Sequence, residues 1–585
     1  MRKIKNTVFL LFSLFLLNIN LFSQENEKVW FDGLARSYFA RDAIDLNNNP
    51  DTISSRNSSN GYNLVDLNTH INPTDNIEIF AQLRIKNQYG SFFGSGTNIN
   101  VRQLRASGVI KNKVKFSIGD IFLKQNRFTL YNYDEEFFEF GNDMFKSYRD
   151  IIHYENFYTD NRWRLQGIQS DFSLEFDRFI RTLEFDFFVT RPRGSGPFTS
   201  NTYFPDLILS GGTIHTKINK ELSYELNYVN LFEVPSSGTF NISVFNPVYH
   251  SALTYKYNFK KIQVEHKLQG GFSQRSWLHS ELGTTNKDSS ANLTRGMFLE
   301  YENEISNIDS NFKFVLGGRY VDPNFRSPGA QTKRIDFISS NLPTVYPIYT
   351  NSYLNRRFST FDLVSDERIY NQAISIDLME FNPIFSNVLP YGDATPNRVG
   401  MYLNTYHNTK DKSLESNLKS AFYKEVIGQG TSNKRDFIFL NGSLKFNVDK
   451  LLKRDKKLSL LVSYRQEITK RKGDSISDVD LNSGLLNCFI NAEIADKLFF
   501  QFSIKQFSTI GNEFISSRNE YGVIENYLSR DYNQKDYMYS SGLSYEFRKN
   551  VYANIQYNWW GSDFSNVNIQ GFDYQRLLFI FSVKL

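Results

Sequence analysis

The sequence predicts an all-β protein: a single large antiparallel transmembrane β-barrel of about 22–24 strands, with short turns at one rim and long loops at the other. Three observations predict it. Apolar residues recur with period two from end to end. Each such run is about ten residues, the length that crosses a bilayer when tilted. The connections between runs alternate short and long.

Strand-like runs come first. Ile77, Ile79, Ala81, Leu83 and Ile85 alternate with Glu78, Phe80, Gln82, Arg84 and Lys86. Similar runs start at Leu458, Leu498 and Val551. Successive strand side chains point to opposite faces, so each run has one apolar wall. Aromatics sit at run ends, as at Tyr89, Tyr228, Tyr320 and Trp559, where an amphipathic ring suits the headgroup level. Beyond the N-terminal leader no stretch of about 18 apolar residues occurs, which excludes helical spanning. A mean hydropathy of −0.44 fits a barrel, because only alternate strand residues meet lipid.

Short polar turns occur at Asn72 to Asn76, Lys111 to Lys113, Asn219 to Glu221, Asn258 to Lys261, Asn307 to Asn311, Lys410 to Lys412, Asp496 to Lys497 and Arg548 to Asn550. Long polar stretches such as 44–61, 125–161, 191–206, 322–366 and 508–536 lie between them. Counting crossings from the two termini gives opposite directions near residue 380, which predicts a crossing hidden in 340–400 with Tyr353 to Leu363 as its candidate. The segment Phe381 to Arg398, rich in Pro and Gly, is then an outer loop; otherwise it is an insertion in the lumen.

Both ends agree. Arg2, Lys3 and Lys5 precede the apolar run Val8 to Leu17, and Ser23 offers a cut before Gln24. This divides the chain into a signal peptide at 1–23 and a barrel at 24–585. The last run, Phe572 to Leu585, places Leu577, Phe579, Phe581, Val583 and Leu585 on one face. An export signal followed by such a terminal strand resembles the bacterial outer-membrane β-barrel proteins, in a porin-like form. The resemblance implies outer-membrane lipid around the barrel, short turns facing the periplasm, and insertion machinery that reads the last strand. That family usually ends in Phe, Tyr or Trp, where this chain has Leu585. The Ser-Gln cut and the wealth of Phe, Tyr, Asn and Lys resemble Bacteroidota proteins. TonB-dependent transporters resemble it in strand number, but strand pattern from Val29 onward leaves no space for their plug.

Composition narrows the function. Removal of the three leader cations leaves 64 Lys and Arg against 62 Asp and Glu, which argues against a nucleic-acid partner. The single Cys488 forms no disulfide framework. The seven histidines show no metal-ligand spacing, and no GxSxG, HExxH or phosphate-binding glycine loop occurs. No catalytic, cofactor or metal residue is expected.

Two constellations remain. Glu300, Glu302 and Glu304 share one face of a strand whose other face carries Met297, Leu299 and Tyr301, so the carboxylates face the lumen beside Lys313 and Arg319. With Arg84 and Lys86 they are the pore-lining candidates, either as an open charged wall or as an internal salt-bridge lattice. The third outer loop, Gln125 to Asn161, holds Asp134, Glu135, Glu136, Asp143 and Arg149, and Phe140, Met144, Phe145, Tyr148 and Ile152 have helical spacing. It resembles the constriction loop of general porins; a cap over the barrel mouth or a surface binding loop are the alternatives.

The expected function is a porin-like channel for passive diffusion of small hydrophilic solutes. The alternative is a structural barrel that assembles with outer-membrane partners in secretion, gliding or polysaccharide export. A barrel-embedded hydrolase is a minor third.

Overall fold

The structure is a computed structural model and describes residues 28–46, 56–90, 96–133, 139–140, 143–157, 159–177, 180–193, 206–234, 242–279, 290–309, 311–331, 348–349, 354–355, 387–428, 431–474, 476–518, 524–564 and 571–585. The leader proposed for 1–23 lies outside the described residues.

Twenty-two strands form one antiparallel sheet in which each strand pairs with its sequence neighbours. The first, Val29–Leu46, pairs with the last, Phe572–Lys584, from Leu34↔Lys584 to Leu46↔Phe572. The sheet is therefore a closed ring. Closure leaves the sheet without an unpaired edge strand, the condition a sheet must meet in hydrocarbon.

Period-two patterning becomes two surfaces. Facing outward are Ile85, Ile118, Ile168, Val189, Leu268, Met297, Leu299, Met401, Val462, Ile490, Leu543 and Leu577, all strongly exposed. Inward-facing neighbours such as Arg84, Glu300, Arg319, Asn441, Ser463, Asn487 and Gln556 are buried. A water-soluble protein does not display a continuous apolar ring. The ring is the lipid face of a transmembrane barrel.

Among the described residues the sheet holds no strand between those on either side of the predicted hidden crossing. Phe312–Val321 pairs directly with Arg398–Asn408, from Phe312↔His407 to Val321↔Arg398. Two connections absent from the list of short turns also join neighbouring strands: 176–181, and 448–457 with its helix Val448–Leu452. In the ring of 22 strands the directions counted from the two termini agree. Of Tyr353 to Leu363 only Leu354–Asn355 is described, in a two-residue ladder with Ile348–Tyr349. Within 381–398, residues 387–397 turn into the lumen.

Candidate functional site: a strap across the lumen

The described parts of the connection 124–162 lie inside the barrel and touch opposite walls. It begins with a tight turn at Asn126, whose Oδ1 accepts from Phe128 N at 3.0 Å and whose Nδ2 donates to Gln269 Oε1 at 2.8 Å on the wall. That turn aims Arg127 and Phe128 at one region. Phe128 stacks on Phe298 at 4.0 Å between ring centres. Arg127 donates to Asp393 Oδ2 at 3.0 Å, Glu300 Oε2 at 3.2 Å and Glu302 Oε2 at 3.3 Å. The wall supplies Arg319, which donates from Nε and Nη2 to Glu300 Oε1 at 3.0 and 2.7 Å, and from Nη1 to Asp393 Oδ1 at 2.8 Å. Tyr402 Oη lies 2.7 Å from both Glu300 Oε1 and Glu302 Oε2. Its ring reaches them across Gly317, where an added Cβ would stand 2.2 Å from Tyr402 Cζ.

Two guanidiniums thus hold three carboxylates in one cluster, with Glu300 and Arg319 buried and Arg127, Glu302 and Asp393 partly exposed. Burial raises the Asp393 carboxyl, but Arg319 and Arg127 outweigh it and hold it down at about 2. The neighbouring chain is locked in as well. Gly329 O accepts from Tyr131 N and from Trp163 Nε1, both at 2.8 Å, and Gln331 Nε2 donates to Ala394 O at 2.8 Å.

Further along the strap comes a short 3-10 turn, Asp143–Phe145, and then helix α1, Lys146–Asn156. The helical spacing recognised in the sequence is this element. Met144 and Phe145 enter an apolar socket made by Leu461, Val479, Leu481, Leu485, Phe489, Phe507, Tyr532, Met538, Trp560 and Tyr574 on the last six strands. Barrel lumens are ordinarily polar. A greasy patch inside one is stable in water only when something apolar covers it.

The far end of α1 meets the first strands. Tyr154 donates to Asp66 Oδ2 at 2.6 Å. Glu155 accepts from Arg36 Nη1 at 3.2 Å and from Arg84 Nη2 at 2.9 Å, with Arg84 Nη1 also on its Oε2. Arg84 reaches Asp66 through Nε at 2.8 Å and Nη2 at 2.7 Å. Arg102 Nη2 donates to the carbonyls of Tyr154 and Glu155 at 3.1 Å each, so a cation sits at the negative end of the helix. Phe157, left-handed at φ 56°, ends the helix and sets its ring between Arg102 at 4.4 Å and Arg164 at 4.0 Å. Burial raises the Glu155 carboxyl, yet its arginines, Arg84 foremost, keep it below the ordinary range.

Glu300, Glu302 and Arg319 are drawn into the first cluster. Glu304 stands apart with Lys313 at 2.6 Å, nearer the short-turn rim. Arg84 belongs to the second cluster, and Lys86 lies 4.2 Å from the Tyr62 ring centre. Asp143 opens the 3-10 turn, and Arg149 is half-buried on α1. Asp134, Glu135 and Glu136 lie outside the described residues. No local pattern pointed to Asp66, Arg36, Arg102 or Tyr402, because each owes its role to a partner distant in the chain. Asp393 did carry a signal, in the unusual composition of its segment.

No protein-family model matches the chain, and no curated protein matches it. Among solved structures it is similar to OprD from Pseudomonas aeruginosa, at 9% identity and TM-score 0.35, over 95% of this chain and 94% of that one. It is also similar to a BenF-like porin from Pseudomonas fluorescens, at 10% identity and TM-score 0.33, over 95% and 99%. The FrpB iron transporter from Neisseria meningitidis aligns at 8% identity and TM-score 0.44, over 95% and 82%. Likenesses this low carry no argument about function. The barrel rests on the strand pairing described above.

Proposed function

We propose that the protein is an outer-membrane, porin-like channel for passive diffusion of small hydrophilic solutes, narrowed by the strap 124–162. A single observation carries this reading: a closed, lipid-facing ring of strands whose lumen is crossed by a strap fixed to opposite walls. Channel width then follows from where the strap sits, and solute charge is sensed by the groups beside it. The composition supports a Bacteroidota source, and the leader supports cleavage before Gln24.

Single-channel recording in planar bilayers tests the channel. The intact protein should give a small steady conductance, and Met144→Ser with Phe145→Ser should enlarge it by freeing the strap. A barrel silent in both forms, while correctly folded, defeats the reading. N-terminal sequencing of exported protein should begin at Gln24. A second reading, a structural barrel in an outer-membrane complex, is favoured by the density of internal ion pairs at Arg127, Arg319 and Glu300. It predicts a silent barrel that co-purifies with partners. No feature of the described lumen favours a hydrolase.

A further inference from the structure

The rim of short connections differs in charge from the rest of the molecule. Across its ten connections Lys and Arg outnumber Asp and Glu two to one. The whole chain is close to balance, 67 against 62. Cations pair up at Lys111 and Lys113, Lys260 and Lys261, and Lys410 and Lys412.

The excess peaks in the longest of these connections, 448–457. Here Val448–Leu452 makes one helical turn, closed by Lys453 in the left-handed conformation at φ 50°. Arg454 N then donates to Asp449 O at 2.8 Å, and Leu458 N to Asp449 Oδ1 at 3.4 Å. This fold-back commits Asp449 to the backbone. Lys450, Lys453 and Arg454 form no ion pair among the described residues. Lys456 Nζ reaches Ile494 O at 3.0 Å, and Lys457 stands 5.8 Å from the Phe499 ring centre.

Between those cations Leu451 and Leu452 are 55% and 57% exposed. Two adjacent bare leucines among five cations are out of place on a water-facing turn. Depth explains them. On the flanking strands, Leu444 and Val462 belong to the lipid belt. Four or five residues of tilted strand, about 15 Å at most, separate them from the projection. That distance is at most about half the hydrocarbon thickness, so the leucines stand within reach of the lipid surface beside those strands.

We propose that the projection 448–457 docks on the adjacent leaflet: Leu451 and Leu452 enter the acyl boundary, while Lys450, Lys453 and Arg454 bind phosphates of anionic phospholipid. The occupant is a lipid surface, recognised by charge complementarity and by the leucines together. It rests on the membrane-spanning reading of the barrel and is independent of whether the lumen conducts.

The test uses the full chain in bilayer discs of phosphatidylcholine with or without phosphatidylglycerol, with retained lipid counted by native mass spectrometry. Intact protein should retain phosphatidylglycerol selectively, and high salt should weaken that selectivity. K450Q/K453Q/R454Q should lose it by roughly five-fold per cation. L451S/L452S should reduce retention of both lipids. Equal retention of phosphatidylglycerol by the intact protein and the triple glutamine variant overturns the proposal. So does a wild-type barrel that sediments with peptidoglycan and shows no lipid preference, which would assign the rim to an anionic polymer. If the intact chain cannot be placed in discs at all, the membrane-spanning reading fails first, and the proposal falls with it.

Discussion

The strap meets the barrel in two unlike ways only ten residues apart. At Met144 and Phe145 the contact is apolar, with both side chains almost fully buried among the inward faces of the last six strands. At Tyr154 and Glu155 it is a lattice of charge against Arg36, Arg84, Arg102 and Asp66. The difference separates holding from aiming. Apolar burial is non-directional and contributes in proportion to area. Charged hydrogen bonds are directional, and a buried ionic cluster adds little net stability over apolar packing of the same volume. The socket therefore keeps the strap down, and the arginines fix the direction in which α1 lies.

Seven variants or conditions sharpen that contrast. Phe145→Ala should be among the most damaging, lowering stability by about 3–5 kcal/mol as measured by denaturant unfolding in lipid vesicles. It should also enlarge single-channel conductance; a loss below 1 kcal/mol would mean that the socket does not hold the strap. Glu300→Gln leaves Arg319 and Arg127 facing each other with less countercharge, and breaking such a buried pair should destabilise by about 3–5 kcal/mol. Glu155→Gln should do less, about 1–2 kcal/mol, because Arg84 keeps Asp66. A cost equal to that of Glu300→Gln would erase the distinction between the two clusters.

Gly317→Ala tests the slot under Tyr402. The new methyl must displace the ring and break its bonds to Glu300 and Glu302, for about 1–2 kcal/mol. Tyr402→Phe should show a similar but smaller loss by thermal unfolding, since the ring stays. Acid probes the same cluster. Asp393 is held at about 2, below its ordinary 3.8, so its contribution is complete above 3.8 and disappears as pH falls toward 2. Conductance and melting temperature should be unaffected by this group between pH 7 and 4 and change below pH 3.5. Smallest of all, Lys146→Ala removes an exposed pair with Asp150 and should shift stability by no more than about 0.5 kcal/mol.

The barrel and its lipid face were legible because a two-residue period is local: Ile77 to Ile85 declares its two faces without reference to any other strand. The same logic put Glu300, Glu302 and Arg319 inside. The helical stretch around Met144 and Tyr148 was also readable, since its spacing is that of the element it forms. The missing crossing was a failure of counting. The 448–457 connection is written in helix-forming and charged residues, without a compact Asn or Gly turn signal.

The sequence by itself determined the alternation, the orientation of each strand's faces, and hence a ring that satisfies its backbone in lipid. Only the tertiary structure decided which lumen groups meet. Arg127 finds Asp393, Met144 finds Trp560, and Glu155 finds Arg36 across separations of 119 to 266 residues in the two charged cases. Such pairings follow from ring closure and from the path of a strap through its interior. Local periodicity specifies the face on which a side chain stands and carries no record of its partner.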